Sequence, residues 1–85
     1  MIALHTSARR VLYALSRAEP GEGITLEQVQ ERTGLLARTA LRMLEDLRRA
    51  GLVNRHQIGV GNNPEVRWAL TTIGRSYSRE SIPPR

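Results

Sequence analysis

Only three residues, Gly34-Leu35-Leu36, separate two stretches that each carry the marks of a helix. Upstream, Thr25 and Gln28 stand at capping-box spacing, each side chain able to reach a backbone N–H that the helix start leaves unpaired. Ile24 before the cap and Val29 at the fourth helical position are placed for a hydrophobic staple. Gly34 stops this helix early. Downstream, a longer helix is predicted from about Ala37 to Ala50, with Ala40, Leu44 and Leu47 on its core side and Met43 beside them. Gly51 can take the left-handed conformation that ends a helix, and Leu52 would then fold back on Leu47. So short a link excludes an antiparallel bundle with freely chosen angles. It suits the compact turn of a helix-turn-helix, in which the second helix is presented to a groove.

The remaining segments fit around that pair. A first helix is predicted from about Thr6 to Ala18, with Ala8, Val11, Leu12, Leu15 and Ala18 on one face and Thr6 or Ser7 as its cap. Arg9, Arg10 and Arg17 fall off that stripe and read as a solvated face. Glu19-Pro20-Gly21-Glu22-Gly23 is a loop. After Gly51, Leu52 to Ile58 and Glu65 to Leu70 are extended, Val66, Trp68 and Leu70 alternating with Arg67 and Ala69. The six residues from Gly59 to Pro64 join them into a hairpin, the wing. A lone hairpin is marginal in water, so it must lean on the helices, with Trp68 as anchor. Thr71 can cap a short last helix to about Arg79, weakened by Gly74. The expectation is an α+β, mostly α fold: three helices, a two-stranded wing and a short C-terminal helix. Residues 1–80 form one domain and 81–85 a disordered tail.

At 85 residues there is room for one small core, which hides roughly 60–65% of the surface of the unfolded chain. No cysteine is present, which removes disulfides, zinc–thiolate sites and thiol catalysis and suits a reducing cytoplasm. The longest run free of charge and turn residues, Val11-Leu12-Tyr13-Ala14-Leu15, is far short of the ~20 residues a membrane helix needs. His5 and His56 have no ligand-spaced partner, so no metal site is expected. Glu27 and Glu31 share a helix face, and solvating that face explains them better than acid–base chemistry. Gly59-x-Gly61 lacks a third glycine and a following helix, so it is not a dinucleotide loop. No serine stands in a nucleophile motif. The expectation is no enzyme, no cofactor and no small-molecule ligand. Thirteen basic residues, all arginine, stand against eight acidic ones, and the net charge of +5 favours a polyanionic partner.

The run from Gly34 to Val53, with its Gly-Leu turn, Thr39, Arg42, Leu44, Leu47 and closing Ala50-Gly51-Leu52-Val53, resembles the recognition-helix region of winged helix-turn-helix regulators of the MarR and ArsR types. Leu70-Thr71-Thr72-Ile73-Gly74-Arg75 is similar to the Leu-Thr-x-x-Gly segment that closes their wing. The resemblance spans about Thr6 to Tyr77. Leu36 departs from it, standing where those proteins usually carry a serine or threonine cap. Full MarR-type proteins also have long dimerisation helices at both ends, to which only the first helix and a weak last helix correspond here.

The resemblance implies a sequence-specific, double-stranded DNA-binding transcriptional regulator, a repressor acting as a homodimer in the cytoplasm. The alternative is a winged-helix module for protein–protein interaction. By resemblance, Arg38, Thr39 and Arg42 enter the major groove, where arginine can bond guanine and threonine a phosphate or a thymine methyl. Leu41 can meet a thymine methyl or stand as a surface leucine. Arg48 and Arg49 complement the helix dipole, with phosphate contact as the other reading. Arg55 and Arg67 on the wing strands, and Asn62 and Asn63 at its tip, are candidates for backbone or minor-groove contact. For the asparagines, turn chemistry is an equal explanation.

Overall fold

The computed structural model describes residues 6–18, 22–59, 62 and 64–81, the last three by backbone alone. His5, the loop residues Glu19, Pro20 and Gly21, the wing-tip residue Asn63 and residues 82–85 of the expected 81–85 tail lie outside the described residues, whereas Ser81 is the last residue of a helix. The order is α1 (Thr6–Ser16), α2 (Leu26–Thr33), α3 (Ala37–Arg49), β1 (Val53–Ile58), β2 (Glu65–Leu70) and α4 (Thr72–Ser81).

The apolar stripe of α1 is buried as expected at Ala8, Val11, Leu12 and Leu15, and Ala14 widens it. The helix ends at Ser16 rather than near Ala18. The Ser16 hydroxyl donates to the Tyr13 carbonyl at 2.6 Å, the acceptor the next helical N–H would use, and Ala18 N–H closes a tighter turn on the Leu15 carbonyl at 3.1 Å. Thr6 and Ser7, the expected caps, both fall within the helix as described.

Both expected boundaries of α2 are present. The Gln28 N–H donates to Thr25 Oγ1 at 3.2 Å, and the Thr25 N–H donates to Gln28 Oε1 at 2.9 Å. Ile24 and Val29 are both buried in the core. At the far end of α3, Gly51 takes φ 81° and donates to the Arg48 carbonyl at 3.0 Å, while Leu52 N–H reaches the Leu47 carbonyl at 3.0 Å. Those two bonds are the Schellman pattern, and Leu47 and Leu52 are buried with it. The chain is thereby turned off α3 directly into β1.

β1 and β2 pair antiparallel, from Val53 opposite Leu70 to Ile58 opposite Glu65. One addition to the expected hairpin supports it. Ile24 forms a bridge on the other edge of β2, its N–H donating to the Trp68 carbonyl at 2.9 Å and its carbonyl accepting from the Trp68 N–H at 2.8 Å. β2 is thus held on both edges, and the adjoining Gly23 covers Ala69, which alternation alone would place in solvent. Trp68 is the expected anchor, 2% exposed, in a core with Val11, Leu12, Leu15, Val29, Leu44 and Val53. Beyond Val53 every β1 residue is exposed, so the outer half of the wing projects past this core.

The Thr71 hydroxyl accepts from Gly74 N–H at 2.9 Å, capping α4, and donates to the Gly51 carbonyl at 2.7 Å. Gly74 does more than weaken the helix. A Cβ there would overlap the Leu52 carbonyl oxygen, so only glycine lets α4 start this close to the chain leaving α3.

Candidate nucleic-acid interface

α3 buries Ala40, Leu44 and Leu47 and turns its opposite face outward. At 100° per residue, Arg38, Arg42, Glu45 and Arg49 fall on that outward stripe, with Leu41 and Arg48 on one flank and Thr39 and Asp46 on the other. Arg38, Arg42 and Arg49 are exposed, and none has an ion-pair or hydrogen-bond partner among the described residues. Thr39 is half-buried, and Leu41 is 42% exposed. Like charges one turn apart cost an isolated helix about 0.2–0.5 kcal/mol, so the Arg38–Arg42 spacing works against helix stability.

Arg48 and Arg49, adjacent at the end of α3, divide differently. Arg48 gives both Nε and Nη2 to one oxygen of Glu45, at 3.3 and 3.1 Å, and is tied to its own helix. Arg49 faces outward with Arg38 and Arg42. Its distance of seven residues from Arg42 was the sequence signal for this, overshadowed by its suitability as a C-terminal cation. Leu36 is the cap residue of α3, supplies no side-chain acceptor and is 76% exposed.

The wing residues do not form one surface. Arg55 lies opposite Trp68 and His56 opposite Arg67, so Arg55 and Arg67 stand on opposite faces of the hairpin. Arg55 is exposed and has no partner among the described residues. Arg67 is half-buried, donates from Nε to Glu65 Oε2 at 3.0 Å, and lines a groove shared with Glu27 and Glu31 of α2. Asn62 is exposed at the tip. No group of three or more metal-ligating side chains occurs among the described residues, and no helix there is long and apolar enough to cross a membrane.

No family model and no curated protein match the sequence. Solved structures do. The chain superposes on a Ralstonia eutropha protein provisionally described as DNA-binding with TM-score 0.74 and 24% identity, over 95% of this chain and 100% of the other. MepR of Staphylococcus aureus, a transcription regulator of the multidrug efflux pump MepA, matches with TM-score 0.74 and 21% identity, over 91% of this chain and 54% of its own. A MarR family regulator from Neisseria meningitidis matches with TM-score 0.70 and 21% identity, over 91% and 51%. The chain therefore spans the whole of the first structure and about half of each of the other two. The winged helix-turn-helix expected from the sequence is the fold of the molecule, and it is the fold that it shares with these solved structures.

Proposed function

We propose that the chain is a sequence-specific, double-stranded DNA-binding transcriptional regulator. α3 enters the major groove and the wing lies against the backbone or the minor groove. The observation that carries this reading is the outward stripe of α3, where Arg38, Arg42 and Arg49 are exposed and unpaired among the described residues. Free guanidiniums on a projecting helix suit guanine edges and phosphates. Arg38, Thr39 and Arg42 are the groove contacts, with Leu41 beside them for a thymine methyl. Arg55, Asn62 and Asn63 are the wing contacts. Arg67, committed to Glu65 and turned toward α2, is the weakest of the candidates. Two copies on a palindrome would read half-sites about one helical turn apart, and repression by occupying the site is the simplest mode, in the cytoplasm. A protein-interaction module would call for a contiguous apolar patch, whereas the exposed leucines of α3, Leu36 at its cap and Leu41, are five residues apart and do not share a helix face with each other.

Fluorescence anisotropy against a random-sequence duplex, across a salt series, tests this. Each neutralised phosphate contributes a slope of about −0.9 in log affinity against log salt, and a slope of about −4 or steeper is expected. Arg38→Ala with Arg42→Ala should flatten it by up to about 1.8. Absence of binding even at low salt overturns the reading.

A further inference from the structure

Away from α3 and the wing, two more arginines converge on one place. Arg17 follows α1 and Arg32 lies in the last turn of α2, and together with Tyr13 and Ala14 they line a recess of about 520 Å³. Each guanidinium is anchored to α1 by one of its five donors. Arg17 Nη1 donates to the Tyr13 hydroxyl at 3.2 Å, with its guanidinium carbon 5.8 Å from the ring centroid. Arg32 Nη1 donates to the Ala14 carbonyl at 3.3 Å. Neither has a carboxylate partner among the described residues, and none of the four lining residues is acidic. The Tyr13 oxygen accepts from Arg17 and keeps its own proton to donate. Among the described residues, the remaining donors of two guanidinium forks and a phenol therefore line a recess whose charged groups are both positive, which concentrates anions.

We infer that Arg17, Arg32 and Tyr13 form a phosphate-binding site separate from the outward face of α3. Guanidinium forks match the oxygens of a phosphate in pairs, and anchoring the forks beforehand lowers the ordering cost of binding. Such a phosphate has two sources, the backbone of a duplex or a free phosphorylated compound.

Inorganic phosphate titrated into the full chain at constant ionic strength, followed by NMR at the arginine Nε–H signals, tests the site. Saturable shifts confined to Arg17 and Arg32 are expected. Arg17→Gln should weaken the response at Arg32 about tenfold, and Arg32→Gln the response at Arg17, with the thermal transition confirming that each variant still folds. The second arm rests on the DNA reading. If the backbone is the source, the double variant Arg17→Gln, Arg32→Gln flattens the duplex salt slope by about 1.8. A phosphate response with an unchanged duplex slope, or with no duplex binding, identifies a free phosphorylated compound. The Arg38→Ala, Arg42→Ala variant should keep the phosphate response, which separates this site from the α3 surface. No saturable response to phosphate together with an unchanged slope overturns the inference.

Discussion

Leu36 occupies the cap position of a 13-residue helix and leaves its side chain in solvent. A hydroxyl or carboxamide there would accept from a first-turn N–H, so Leu36→Ser should stabilise the fold by about 0.5–2 kcal/mol, measured by denaturant unfolding. Under the DNA reading the same change adds a polar group beside Arg38, so affinity should hold or rise while stability rises. Arg67 gives the opposite kind of test. Its bond to Glu65 is a half-exposed pair on a strand, worth about 0–1 kcal/mol. Arg67→Ala should leave the duplex salt slope unchanged, whereas Arg55→Ala should flatten it by about 0.9. Equal effects from the two would mean that the opposite faces of the wing are both in contact with DNA.

At the scale of the element, α3 is more than a row of positive charge. Glu45 falls on the outward stripe, one turn from Arg42, and Arg48 occupies only its Oε2. A carboxylate near phosphates opposes indiscriminate binding. Glu45→Gln should therefore raise affinity for random duplex, by at most about 1 kcal/mol or roughly fivefold, read by the same anisotropy titration. Where α4 begins, the limit is steric. Gly74→Ala would drive a methyl into the Leu52 backbone, so destabilisation at or above the upper end of about 1–3 kcal/mol is expected in thermal unfolding.

Across the whole molecule, Trp68 joins the hairpin to the helical core from the middle of β2. Trp68→Ala should cost about 3–5 kcal/mol, against a total stability of about 4–13 kcal/mol for a domain of this size. The variant should lose a large share of that stability, read as a clearly lowered thermal midpoint by circular dichroism. Much of this architecture was legible beforehand because its signals are local. The Thr25–Gln28 box, the Gly51 stop and the alternation about Trp68 each sit within a few residues and are enforced by one or two hydrogen bonds. The less legible parts involve distant segments. Ile24 reads as a staple residue, and nothing nearby announces that its backbone also pairs with Trp68. The register across the six-residue tip decides that Arg55 and Arg67 part company, and turn-forming residues alone do not fix that register. The recess between Arg17 and Arg32 depends on how two helices cross, which stripes of apolar residues leave open.

Thr71 couples motions as well as capping a helix. Its hydroxyl grips the Gly51 carbonyl and the first turn of α4 at once, its N–H holds the Leu52 carbonyl at 3.0 Å, and Gly74 brings the helix flush against that backbone. The end of α3 and the start of α4 consequently share one rigid joint. A torque applied to α4 from outside would be felt at that joint, and so at the C-terminal end of α3.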